Sequence, residues 1–246
     1  MPTPHNKYDD FSSYDSYHGN MLDITPYRTT LSRILNGIIE AYYKMLEPTY
    51  PTIPPNDEDL ISGRLYEDFL DNDDFRRQYN LNDYTFELES AAIDAAYKQA
   101  GYKDFKVRVN NRLPFFESTK SAYVIECKRL DGKQAKEAHT KTLNRKYLED
   151  GLKRFVDELY TEKNLHKQSA MIGYVISSID IQQNVFHIND LINSMPDLQT
   201  IQLLESYVIS KSFQYAYNSK HTSVNGNNVD IYHLMLDFSS KIQAKA

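Results

Sequence analysis

Two short stretches, at 105–109 and 123–130, constrain what this 246-residue chain can fold into more than any other feature. In the first, apolar and polar residues alternate; in the second, an apolar run leads directly into Glu126 and, two residues on, Lys128. Successive side chains of a β-strand point to opposite faces, so each stretch predicts a strand. Glu126 and Lys128 are then expected on the same face of the second strand.

The two strands are predicted to pair as the antiparallel arms of a hairpin. Pairing along the whole first strand sets Asp104 opposite Glu126 and leaves residues 111–119 as the connecting loop. Two further pairs belong to the same register, Lys106 with Val124 and Arg108 with Ala122. A competing register, with a tighter turn at 118–121, uses Glu117 in place of Asp104. The longer pairing is favoured because it uses the whole alternating strand.

This hairpin brings two carboxylates and one ammonium together, a combination suited to a metal site. Hard divalent cations such as Mg2+ or Mn2+ take oxygen ligands, so Asp104 and Glu126 are candidate metal ligands. A cation held there would polarise a phosphodiester and lower the pKa of a bound water. Lys128 is a candidate to orient that water or to offset charge in the transition state.

The pattern resembles that of the PD-(D/E)XK nuclease superfamily, in which an acidic residue on one strand precedes an E-x-K triplet on the next. Asp104 matches the acidic residue, and Glu126 with Lys128 match the triplet. Lys103 departs from the pattern, because proline often precedes the acidic residue in that family. The resemblance covers residues 56–177.

The resemblance implies an α/β fold with a restriction-endonuclease-like core, in which a central mixed sheet is flanked by helices. It also implies a Mg2+-dependent endonuclease that hydrolyses phosphodiester bonds in nucleic acid, with DNA as the favoured substrate, in restriction or anti-phage defence. Such proteins commonly carry a further catalytic glutamate on a helix ahead of the hairpin. Glu58 is the preferred match, with Glu67 and Glu89 behind it. A helix-capping role for Glu58 is the alternative.

Two other interpretations are compatible with the sequence. The first is a catalytically inactive nuclease fold that serves as a nucleic-acid-binding or protein-assembly module. The second is a protein-interaction module that works through its N-terminal helix and a Tyr-rich surface. The sequence leaves open DNA versus RNA, the target sequence, the cut pattern, and whether the chain forms a homodimer or binds a protein partner in a defence system.

Composition narrows the classes of function. The net charge of −6 argues against a protein that coats nucleic acid non-specifically, because such binding depends on Lys and Arg neutralising phosphates. Cys127 is the single cysteine, which excludes an internal disulfide and a multi-cysteine zinc site, and its place on the face opposite Glu126 predicts a buried thiol. The seven histidines form no closely spaced metal motif. Without a signal peptide or membrane span, a cytoplasmic location is expected.

The pattern along the chain predicts two parts. Residues 1–55 comprise a loose arm, an amphipathic helix that begins at Pro26 and a proline-rich linker, whereas residues 56–246 form the nuclease-like domain. Within the domain we expect helices near 56–70, 91–97, 143–159 and 188–195, and further strands near 84–88, 171–176 and 229–238. Gly101 is expected to end the second of these helices. Basic residues around the third either line a phosphate track or form a solvated surface: Lys141, Arg145, Lys146, Lys153 and Arg154.

Overall fold

A computed structural model describes residues 26–54, 58–93, 99–109, 122–132, 142–159 and 168–243. The side chains of residues 26–28, 89–93, 99–104, 122 and 168 lie outside this description. The described chain forms a seven-stranded mixed sheet with helices on both faces, which confirms the α/β class.

Two parallel pairings at the centre of the sheet separate two antiparallel halves. In chain order the strands are β1 (Tyr84–Ile93), β2 (Gln99–Val109), β3 (Ala122–Leu130), β4 (Gln168–Val175), β5 (Thr200–Ser206), β6 (Ala216–Thr222) and β7 (Asn228–Asp237). Their order in the sheet is β1-β2-β3-β4-β7-β6-β5. The β4 strand pairs in parallel with β3 and β7, and the other neighbours are antiparallel.

The helices precede β1, follow β3 and follow β4. They are α1 (Pro26–Leu46), α2 (Glu58–Leu65), α3 (Asp73–Gln78), α4 (Leu143–Lys146), α5 (Lys153–Val156) and α6 (Ile181–Asn193). A π-helical turn, Tyr66–Leu70, extends α2, and a second, Tyr147–Leu152, joins α4 to α5 into one continuous stretch, called here the 143–156 segment. Among the described helices, none is long and apolar enough to cross a bilayer.

Each face of the sheet has its own hydrophobic core. On one face α1, α2 and α3 pack against the apolar side chains of β2 and β4. On the other, the 143–156 segment and α6 cover a second core that includes Val124, Met171 and Met235. The sheet is therefore the middle layer of three.

The first helix is an integral part of its core. It begins at Pro26, as predicted, because proline lacks the amide hydrogen that the first helical turn leaves unused. Its apolar stripe is at most 5% exposed along its whole length: Leu31, Ile34, Leu35, Ile38, Ile39 and Tyr42. These residues belong to the same hydrophobic core as the apolar side chains on one face of the sheet.

The hairpin has the register that the sequence predicts. Pairing between β2 and β3 sets Arg108 against Ala122 and Lys106 against Val124, and extends to Phe105 against Ile125. Continued by one step beyond the described pairs, this register would set Asp104 opposite Glu126. Cys127 is fully buried in the core on the α1 side of the sheet, as expected. The predicted loop and Glu117 lie outside the described residues.

Two predicted helices differ from the structure. Residues 91–93, expected to be helical, extend β1, where Ala92 pairs with Gly101 of β2; Gly101 is therefore a strand residue and not a helix cap. Alanine favours helices, but pairing with an adjacent strand overrides that preference here. Residues 94–98 lie outside the described chain. The helix expected at 188–195 begins earlier, at Ile181, where the Asp180 carboxylate accepts a hydrogen bond from the Gln183 amide.

Gly173 in β4 gives a direct test of packing at the centre of the sheet. A Cβ at this position would overlap the Leu130 side chain and lie 2.8 Å from the Met235 sulfur. We expect Gly173→Ala to lower the free energy of unfolding by about 1–3 kcal/mol through overpacking. Gly63→Ala in α2 is the matched control: a Cβ there meets nothing within 4 Å, and alanine should stabilise the helix by about 1 kcal/mol. Urea unfolding measures both, and a Gly173→Ala protein as stable as the original would contradict the packing.

Candidate functional site

Three of the predicted site residues meet beside the second half of β3. The Lys128 ammonium nitrogen lies 2.9 Å from Oε1 of Glu126 and 3.2 Å from Oε1 of Glu58. It also donates a 2.6 Å hydrogen bond to the Cys127 carbonyl. One cation therefore bridges two carboxylates that come from different elements of the fold.

Glu126 is buried and has two cationic partners. Its side chain is 0% exposed, and its Oε1 accepts a 2.9 Å hydrogen bond from the Arg154 guanidinium in addition to its contact with Lys128. A carboxylate out of contact with water keeps its charge only when cations or hydrogen-bond donors compensate it. Arg154 and Lys128 supply that compensation from a helix and from β3 itself.

Glu58 reaches the site from the first residue of α2. Its Oε2 accepts a 2.8 Å hydrogen bond from the Arg129 backbone amide, and the Arg129 Nε lies 3.9 Å away. Glu58 thus ties the start of α2 to β3. Glu67 is exposed on the π-helical turn that follows α2, and the Glu89 side chain lies outside the described part of the structure. Of the two upstream glutamates whose side chains the structure describes, Glu58 and not Glu67 lies at Lys128.

The 143–156 segment lies directly against the site because it presents a glycine to it. A Cβ added to Gly151 would meet the Met171 methyl carbon at 2.5 Å, Lys128 Cγ at 3.5 Å and Glu126 Cγ at 3.8 Å. Gly151 falls within the π-helical turn, a local geometry that is frequent at functional sites. The glycine permits a close approach of the helix, and Arg154 follows it by three residues.

A buried chain of hydrogen bonds connects the 143–156 segment to β6 and β7. The Leu198 carbonyl can only accept, so His221 donates to it through Nδ1 (3.1 Å) and accepts from the Ser219 hydroxyl at Nε2 (2.8 Å). Ser219 then accepts from Nε2 of His233 (2.8 Å), whose Nδ1 accepts from the Tyr147 hydroxyl (2.7 Å). Both imidazoles are neutral in this arrangement. The sequence indicated lone core or surface histidines and gave no sign that two of them are linked by hydrogen bonds.

Burial sets the protonation state of the same groups. Removal from water lowers the pKa of His221 to about 4, and burial together with the neighbouring His221 lowers the pKa of His233 to about 3. Burial also raises the pKa of the Tyr147 hydroxyl well above its usual value. The side chains of Tyr147, His221 and His233 therefore remain uncharged at neutral pH.

The proposed metal ligands are only partly covered by the described structure. The backbone of Asp104 lies in β2, next to the last described pair of the register, Phe105 with Ile125, and its side chain is outside the description. Among the described residues, no group of three or more His, Cys, Asp or Glu side chains is placed to hold a metal ion. Within that part of the chain, the acidic partners of Lys128 are Glu126 and Glu58.

Three basic residues of the 143–156 segment differ in their partners. Arg145 and Lys153 pair with acids one turn away on the helix, Glu149 and Asp157, as residues of a solvated surface do. Arg154 instead contacts Glu126. The sequence left open whether Arg154 lines a phosphate track or belongs to a solvated surface, and Gly151 within the predicted helix was the available signal that another part of the chain packs closely there.

The buried histidines make stability depend on pH. Their folded pKa values lie below the unfolded value of about 6.5, so the unfolded chain alone takes up protons as the pH falls. The contribution of the two histidines to the free energy of unfolding is complete above about pH 6.5. Below that pH, each histidine lowers the free energy of unfolding by up to about 1.4 kcal/mol per pH unit, down to about pH 4 for His221 and about pH 3 for His233. Urea unfolding between pH 5 and 7.5 should show a weaker dependence of the unfolding free energy on pH for His233→Gln than for the original protein. An unchanged pH dependence in His233→Gln would contradict a buried neutral imidazole.

Comparison with known proteins gives no match. No protein-family model, no curated protein and no solved structure is similar to this chain at a significant level. The function therefore has to be inferred from the chemistry of the site itself.

Proposed function

We propose that the chain is a metal-dependent nuclease that hydrolyses phosphodiester bonds in nucleic acid, with DNA as the favoured substrate. The observation that carries the proposal is the convergence of Glu126, Lys128 and Glu58, which join β3 to a helix 70 residues earlier in the chain. An acid and a lysine two residues apart, met by a glutamate from an upstream helix, are the arrangement that the PD-(D/E)XK resemblance implies.

The order of the elements supports the same proposal. An antiparallel hairpin, β2 and β3, is followed by a helical crossover to β4, which lies parallel to β3. The resemblance implies this order of strands and helix, and its signature residues would occupy the hairpin. We therefore propose a restriction-endonuclease-like core for the region around β1 to β4.

The donor atoms of the site fit a hard divalent cation. Glu58 and Glu126 offer carboxylate oxygens around a position that a cation, the Lys128 ammonium, occupies. Asp104 would add a third carboxylate at the neighbouring register position. Oxygen ligands of this kind suit Mg2+ or Mn2+. Bound there, such an ion would polarise the phosphodiester and lower the pKa of the attacking water.

The basic residues of the site would stabilise the negative charge of the substrate and of the transition state. Lys128, released from the carboxylates, would donate hydrogen bonds to the attacking water or to a non-bridging phosphate oxygen, where negative charge develops. Arg129 and Arg154 add positive charge beside it. Lys128, Arg129 and Arg154 balance the three carboxylates Glu58, Glu126 and Asp104, so a bound divalent cation would supply the excess charge that attracts a phosphate backbone to one place on a chain whose net charge is −6.

One observation favours a second candidate function. Two cations already compensate Glu126, so this carboxylate is stable without a metal ion. The same geometry would suit a catalytically inactive nuclease fold that binds nucleic acid or assembles with a protein partner. The proposed setting in restriction or anti-phage defence, as a homodimer or with a partner, applies to either candidate.

Nucleic-acid cleavage tests the proposed enzyme. A metal-stripped preparation should be inactive and should cleave after addition of Mg2+ or Mn2+. Lys128→Ala, Glu126→Gln and Asp104→Ala should each reduce the cleavage rate by about 100-fold or more, because each removes charge stabilisation or metal binding. Lys220→Ala, which removes an exposed strand lysine on β6, is the matched control and should cleave at the original rate.

Metal titration separates the two candidates. Calorimetry with Mn2+ should show binding to the original protein and weaker binding to Glu126→Gln and Asp104→Ala. Cleavage that is equal in all variants would reject the assigned residues. Nucleic-acid binding with neither Mn2+ binding nor cleavage would favour the inactive fold.

A further inference from the structure

We propose that Arg154 is a positioning residue that acts as the permanent counter-ion of Glu126 and so leaves Lys128 available to the substrate. This inference rests on the proposed nuclease function, and it adds to the site a residue that the PD-(D/E)XK pattern does not supply. Arg154 lies 28 residues from Glu126, on a different element of the fold.

The first line of evidence is the shared oxygen. Arg154 and Lys128 both contact Oε1 of Glu126, each at 2.9 Å. Glu126 is fully buried, so losing its last cation would leave an uncompensated charge in the protein interior. Lys128 can therefore move to a phosphate oxygen only if another cation stays on Glu126, and Arg154 is placed to be that cation.

The second line of evidence is the difference in their partners. Lys128 contacts Glu126, Glu58 and the Cys127 carbonyl. Arg154 reaches Glu126 from α5, a different element from the strand that carries Glu126 and Lys128. A guanidinium also presents several N–H donors in a fixed plane, which suits it to hold a carboxylate in one orientation.

The third line of evidence is the anchoring of the helix that carries Arg154. Gly151 allows the 143–156 segment to approach Glu126 and Lys128 closely. One end of the segment is fixed by a buried side-chain amide pair, in which Asn144 donates to Asn184 of α6 at 2.7 Å. Near its middle, Tyr147 is fixed by its hydrogen bond to His233. The position of Arg154 is thus set by packing and by buried hydrogen bonds in the turns that precede it.

Cleavage kinetics of Arg154 variants test the inference. Arg154→Gln should lower kcat by about 100-fold, because Glu126 and Lys128 lose their alignment, while KM for the nucleic acid stays the same. Arg154→Lys, which keeps the charge, should recover most of the loss. Lys220→Gln, which removes an exposed charge on β6, is the control and should behave like the original protein.

A double variant distinguishes positioning from a general structural effect. In a Glu126→Gln background, single-turnover cleavage should not fall further when Arg154→Gln is added, since the residue through which Arg154 acts is already lost. An equal further loss in that background, or an Arg154→Gln protein with the original kcat, would overturn the inference. A raised KM with unchanged kcat would also overturn it, by assigning Arg154 to substrate binding.

Unfolding measurements test the pairing of Arg154 with Glu126 independently of the proposed nuclease function. If the original protein cleaves no nucleic acid with any metal, the nuclease proposal fails. A double-mutant cycle of Arg154→Gln and Glu126→Gln in urea unfolding then decides whether the ion pair exists. Coupling between the two substitutions supports Arg154 as the counter-ion of Glu126, and its absence overturns that assignment regardless of activity.

Discussion

A single buried carboxylate, Glu126, sets the conditions for the site around it. It lies on a central strand with no exposure to solvent, where an apolar side chain would pack at less cost. Among the described residues, Lys128 and Arg154 contact it and compensate its charge. A buried ion cluster is weak evidence for stability, and hydrophobic packing could replace it. Its presence at the centre of the sheet is therefore the observation on which the proposed chemical role rests.

Several features of the fold keep this cluster together. The parallel pairing of β3 with β4 sets Glu126 beside Met171, and Gly151 brings the 143–156 segment against both. On the other side, Glu58 at the start of α2 accepts the Arg129 amide and so holds that helix to the strand. The cluster is thus bounded by a strand and by the ends or turns of two helices, which is where polar side chains can reach a core.

The sequence predicted those parts of the site that depend on local periodicity. The period of two in β2 and β3 defined the face of Glu126 and Lys128 and the register of the hairpin, and the family resemblance pointed to Glu58. Arg154 could not be assigned, because its contact depends on how a helix is rotated and how closely it packs, and neither follows from spacing. Residues 91–93 were misassigned for a related reason: their alanines favour a helix, and the strand opposite them decides otherwise.

The arrangement of donors explains how Lys128 could leave its resting position. Lys128 bridges Glu126 and Glu58, and each acid has a second donor, the Arg154 guanidinium for Glu126 and the Arg129 amide for Glu58. On the proposed function Lys128 would turn to a phosphate oxygen, and each carboxylate would keep the hydrogen bond from its second donor. The energetic barrier to moving a lysine out of a buried ion cluster is lowest when the acids it leaves remain partnered. The same two donors that stabilise the resting cluster would thus make Lys128 the cation most free to act on a substrate.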